Sequence, residues 1–142
     1  MNILFLEGPN LNLLGLKSSQ NGNKLTLDKL NRSIRTNVRN KGITLKILQT
    51  HKQYKALNFL QRNRNWADGV LFIPTSWAIY EWAIADTLNL ISLPTAVVYF
   101  EEPYVFGGTI SDSIIKGEKI QSFSGQPLDS TLNGLNYLLS HK

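Results

Sequence analysis

Short apolar runs alternate along the chain with stretches in which apolar residues recur every three or four positions, the pattern of β-α units that build a parallel sheet. Ile3-Leu4-Phe5-Leu6 reads as a buried strand stopped by Gly8-Pro9. Leu27, Leu30, Ile34 and Val38 recur at helical spacing between Thr26, a suitable N-cap, and Gly42, which predicts a helix over 26–41. Ile43 to Leu48 alternates as a second strand, and Leu57 and Leu60 mark a second helix from Tyr54 to Asn63. Val70 to Ile73 is a third strand closed by Pro74, and Thr95 to Phe100 a fourth after Pro94. Residues 76–90 read as one helix that is apolar on most sides, through Trp77, Ile79, Trp82, Ile84 and Leu88. Such a helix must be covered on most sides. A sheet covers only one, so a second subunit is expected on the other. Glu101 to Ser111 reads as a loop, a fifth strand falls between Ile114 and Phe123, and Leu128 to Ser140 closes the chain as a helix. The class that follows is α/β, a flavodoxin-like five-stranded parallel sheet with helices on both faces, with residues 1–142 as a single domain.

Composition narrows the chemistry. At 142 residues and 42% hydrophobic, the chain can bury a core without staples. The absence of cysteine excludes disulfides, iron–sulfur sites and a thiol nucleophile, and two histidines, His51 and His141, are too few for a histidine-rich metal site. No metal and no cofactor is expected. No apolar run reaches the roughly 20 residues that span a bilayer, and the N-terminus lacks the basic start of a signal peptide, so a cytoplasmic chain without a membrane partner is expected. The net charge of +5 is unevenly spread: residues 17–62 hold 11 of the 15 Lys and Arg against one acid, Asp28, whereas residues 63–142 hold 4 bases and 8 acids. Arg32, Arg35 and Arg39 line the outer face of the first helix, either as a solvated surface or as a nucleic-acid footprint. Without interleaved aromatics, nucleic acid is the weaker reading.

A sheet of this kind binds ligands beyond the carboxyl ends of its strands. The walls are then Glu7 to Lys24, Gln49 to Gln53, Pro74 to Glu81 and Glu101 to Thr109. Asn10 and Asn12 either contact a ligand there or cap their own turn. Lys17 either draws an anion or is plain surface. His51 at the rim is an acid, base or donor candidate beside a structural role. Trp77, Tyr80, Glu81, Tyr99, Glu101, Glu102 and Tyr104 gather at the ends of the third and fourth strands. Aromatics with carboxylates would suit a cationic or stacked ligand, or would simply fill the crevice.

The string Gly8-Pro9-Asn10-Leu11-Asn12-Leu13-Leu14-Gly15 closely resembles the signature of type II 3-dehydroquinate dehydratases, lyases of the shikimate pathway. Thr26-Leu27-Asp28-Lys29-Leu30, Gln49-Thr50-His51, Ala67-Asp68-Gly69, Ala85-Asp86 and Ser92-Leu93-Pro94 are similar to further family segments, in register without gaps from residue 3 to about 100. The resemblance implies a flavodoxin-like strand order and a homo-oligomer, a trimer or a dodecamer of four trimers. It also implies a reaction: a lid tyrosine held as phenolate by a lid arginine removes a proton, an asparagine-held water stabilises the enolate, and a histidine protonates the leaving hydroxyl.

Carried over by register, these roles fall on unsuited residues. The base tyrosine falls at Gly22, the lid arginine at Lys17, the water-holding asparagine at Ile73 and a binding histidine at Ile79. The acid histidine falls at Tyr99, its carboxylate orienter at Val97 and the carboxylate-binding arginine near Ile110. Asn10, Asn12, Lys17 and Asp86 remain, the last expected to pair across a subunit contact. The expectation is a family scaffold that no longer dehydrates and serves in binding or assembly. The alternatives are altered acid–base chemistry by Glu81, Tyr99 or Glu101, a nucleic-acid-binding module on residues 17–62, and an ordinary dehydratase.

Overall fold

The computed structural model describes residues 1–141. Strand β1 (Asn2–Glu7) is buried from Ile3 onward because its alternating side chains meet helices on both faces. Ile3 and Phe5 point to one side, Leu4 and Leu6 to the other. After β1 come a 3-10 turn (Leu11–Leu13) and a short helix α1 (Leu14–Ser19), in a segment the sequence offered only as a wall of the crevice. Helix α2 (Leu27–Val38) starts as expected at Thr26, whose Oγ1 accepts from the Lys29 amide at 3.2 Å. It ends three residues before the expected 41, because the backbone turns left-handed at Asn40 and again at Gly42.

The remaining elements are β2 (Thr44–Gln49), α3 (Gln53–Arg62), β3 (Gly69–Ile73), α4 (Trp82–Ile91), β4 (Thr95–Phe100), β5 (Ile120–Gly125) and α5 (Pro127–Leu139). All strand pairs are parallel, in the order β2-β1-β3-β4-β5. One core lies between the sheet and α2 and α5, through Leu30, Ile34, Leu135 and Leu138. The other lies under α3 and α4, through Leu60, Trp77, Ile84 and Leu88.

Two expectations change. The single helix over 76–90 is two elements: a 3-10 turn (Thr75–Ile79), then a break at Tyr80 and Glu81, then α4. The Ala78 carbonyl accepts from the Ile114 amide at 2.8 Å instead of continuing a helix. Trp77 and Ala78 thereby enter the core, while Trp82, Asp86 and Leu90 lie on an exposed face of α4, with Trp82 64% and Leu90 82% exposed. The fifth strand begins only at Ile120. Ser113 and Ile115 are buried in irregular chain before it, packed by side chains rather than by a ladder. Among the described residues no helix is long and apolar enough to cross a membrane.

Candidate functional site

The carboxyl ends of β1, β3 and β4 meet two loops, residues 8–13 and 101–109, and the closeness of that meeting decides the site. A Cβ at Gly8 would overlap the Pro74 carbonyl, and one at Gly108 would overlap the Thr75 carbonyl. Both glycines let backbone sit on backbone. Thr75 itself holds φ 53, a conformation that a β-branched residue adopts only under strong constraint. Its hydroxyl donates to the Pro9 carbonyl at 2.8 Å, tying the end of β3 to the first loop.

Packing this tight leaves little room behind. Ile73, Thr75, Tyr99, Phe100, Phe106 and Gly108 enclose a cavity of about 10 Å³, about the least that holds one water. Ile73 is 2% exposed and Tyr99 3%, and Val97 is fully buried. Tyr99 donates its hydroxyl to Ser113 Oγ at 2.5 Å, and that oxygen also accepts from the Ile115 amide at 3.0 Å. Burial pushes the Tyr99 phenol above its ordinary value, partly offset by Ser113 and Ser122.

In front of this plug lies an open groove of about 450 Å³ with Asn10, Lys17, Gln20 and Ser76 as its polar lining and Leu13 and Phe106 among its apolar lining. Asn10 reaches it because the backbone there is left-handed, at φ 67. Lys17, on α1, sets its ammonium 4.9 Å from the centroid of the Phe106 ring, a cation–π contact that holds the loop against the lid. Lys17 is the one charged group lining the groove, so the groove favours an anion. Asn12 is exposed and lies outside the lining.

The lid position Gly22 has φ 76 and nothing within 4 Å of an added Cβ. The neighbouring Asn23 donates to the Tyr104 hydroxyl at 2.6 Å, so a buried tyrosine from the 101–109 loop pins the lid.

The other candidates disperse. Glu81 accepts from Gln53 Nε2 at 2.8 Å, on the α3 and α4 side. Glu101 accepts from Ser124 Oγ at 3.2 Å and lines a hollow of about 390 Å³ with Tyr99, Val105 and Ile110. Tyr99 and Glu101 thus border one hollow, and Glu81 stands apart from it. Glu102 is exposed, Tyr80 is exposed beside Glu81, and Ile79 is 46% exposed. Trp77 is core, His51 is exposed after β2, and Asp86 stands on the outer face of α4.

Two contributors were not legible as such. Phe106 plugs the crevice and roofs the groove, though in sequence it is one aromatic in a loop. Glu7, which the sequence marks only as the start of a wall, is fully buried at the end of β1. A carboxylate closing an apolar strand was the available signal.

The family model for dehydroquinase class II matches residues 1–138. The 3-dehydroquinate dehydratase of Geotalea daltonii is 29% identical over 141 residues, covering 99% of this chain and 98% of the relative. That of Roseiflexus castenholzii is 31% identical over 104 residues, covering 73% and 66%. A type II dehydroquinase crystal structure from Butyrivibrio crossotus superposes with a TM-score of 0.83 at 22% identity, covering 98% of this chain and 97% of that one. A 3-dehydroquinate dehydratase-like protein from Bifidobacterium longum superposes at 0.69 with 17% identity, covering 100% and 98%. On the full-length match, with the strand order and loop geometry just described, the chain belongs to the dehydroquinase class II family.

Proposed function

We propose that this protein is a binding member of the family that does not dehydrate 3-dehydroquinate, taking a small anionic ligand in the open groove beside Lys17. The observation that carries this reading is the filled crevice. Where acid–base chemistry would need a proton donor and a proton acceptor facing a substrate, Ile73, Tyr99 and Phe106 leave about 10 Å³. The apolar Ile73 offers no polar partner to a polyhydroxylated acid, and desolvating hydroxyls there without hydrogen bonds is unfavourable. The rim keeps what binding requires, an ammonium, two amides and a hydroxyl from Lys17, Asn10, Gln20 and Ser76. Assembly accompanies binding in this cytoplasmic scaffold: Trp82 and Leu90 leave an apolar face on α4 with Asp86 between them, suited to a second copy.

Two measurements test the reading. Purified protein is assayed with 3-dehydroquinate, and turnover within tenfold of the Geotalea daltonii enzyme would sink it. Sedimentation of wild type and of Trp82→Lys/Leu90→Lys tests assembly: a smaller species is expected for the double variant, and an unchanged mass counts against the α4 contact.

A further inference from the structure

Glu7 sits where β1 hands the chain to Gly8-Pro9-Asn10. It is the only fully buried carboxylate among the described residues. Its backbone carbonyl is satisfied by the Thr50 amide at 3.0 Å. Alternation along the strand puts its side chain on the side of Ile3 and Phe5, facing α2, where Oε1 accepts from Asn31 Nδ2 at 3.3 Å. Two buried oxygens then remain without a donor, Glu7 Oε2 and Asn31 Oδ1. Both belong to the same pair of side chains. If Glu7 is ionised, both are acceptors and neither can serve the other. One proton on Oε2 makes that atom a donor, and the carboxamide oxygen of the residue already bonded to Oε1 is its nearest chemical complement. The N–H···O and O–H···O bonds would then run in opposite directions and close a ring.

We infer that Glu7 is held as the neutral acid in a reciprocal acid–amide pair with Asn31, a proton-held clamp that fixes α2 to the root of the groove loop. The surroundings agree. On β2 the register partner is Gln49, uncharged, whose amide donates to the Gly8 carbonyl at 3.1 Å, and on β3 it is the apolar Ile73. From α2, Arg35 is the charged group that bears on Glu7 and favours ionisation. Burial outweighs both Arg35 and the Asn31 hydrogen bond, and pushes Glu7 up to about 8 from an ordinary 4.5.

The linkage has a definite sign. The folded chain holds the proton more tightly than the unfolded chain, so the clamp's stabilisation is complete below about 4.5 and is lost as pH rises to about 8. Across that window the folding constant falls about tenfold per pH unit. Above it the pH dependence from Glu7 ends.

Glu7→Gln supplies the control, because a carboxamide offers the same donor and acceptor to Asn31 at every pH. Denaturant unfolding of the full chain is measured from pH 5.5 to 7.5 for both proteins. The ratio of wild-type to variant folding constants is expected to fall about a hundredfold over those two units, and a constant ratio overturns the proposal. At pH 5.5, Asn31→Ala is expected to lower the folding constant of wild type and of Glu7→Gln alike. No loss in either overturns the pairing. Should Glu7→Gln fail to fold, the carbon-13 resonance of the wild-type Glu7 carboxyl, assigned through its own amide, decides at pH 6.5: neutral acid supports the clamp and carboxylate overturns it.

Discussion

The groove beside Lys17 and the crevice behind it share Phe106 as a wall, yet one opens to about 450 Å³ and the other closes to about 10 Å³. The groove is bounded by a short helix and a loop that leave Leu16, Gln20 and Gly107 exposed. The crevice is bounded by β3 and β4, and backbone lies on backbone just past β3, where Gly8 meets Pro74 and Gly108 meets Thr75. Recognition of a ligand can persist on the rim of such a site after the depth is filled, because a rim needs only donors and charge. Proton transfer asks for more, titratable groups facing each other across a substrate-sized space.

The largest expected effect is catalytic. On the proposed reading neither base nor acid remains, each worth a factor of ~10² to 10⁴, so turnover of 3-dehydroquinate is expected at least ~10⁴-fold below an ordinary dehydratase. A coupled assay that finds comparable rates breaks the contrast at once. Next, Gly108→Ala forces a Cβ into the Thr75 carbonyl and the Ala78 side chain, and thermal unfolding is expected to show a loss of about 2 kcal/mol. An unchanged Tm there means the crevice is not tightly closed. Smaller still, Lys17→Gln is expected to weaken binding of a carboxylate ligand by about 1 kcal/mol, seen by calorimetry at low salt and fading as salt rises. Its Tm should stay close to wild type, because the Phe106 contact is half exposed. Asn12→Ala, outside the lining, is expected to change both binding and stability by less than about 0.5 kcal/mol, and a larger binding loss would extend the groove beyond its present wall.

The places of the strands along the chain, the Thr26 cap and the runs at 70–73 and 95–100 were readable because apolar spacing dictates burial, and burial dictates strand or helix. The 3-10 turn at Thr75–Ile79 was not. An apolar stretch reads the same whether it is one helix or a turn and a helix, and the choice was made by the segment at Ile114 that captures the Ala78 carbonyl. The candidate site divides likewise. Asn10 and Lys17 stand in the groove that their position after the first strand suggested, whereas Glu81 and Asn12 lie elsewhere. Short sequence distance from a strand end does not say which way a side chain leaves it.

By itself, the sequence determined the class of fold and the family signature at residues 8–15. These are properties of spacing and identity. Only the tertiary structure decided that the crevice is filled, that Tyr99 is bound to Ser113, and that Glu7 is sealed against Asn31 with two oxygens lacking a donor. The physical reason is that burial and hydrogen-bond satisfaction depend on neighbours far apart in the chain: residues 8, 75 and 108 must meet before a pocket has a volume, and residues 7 and 31 before a carboxyl has a protonation state.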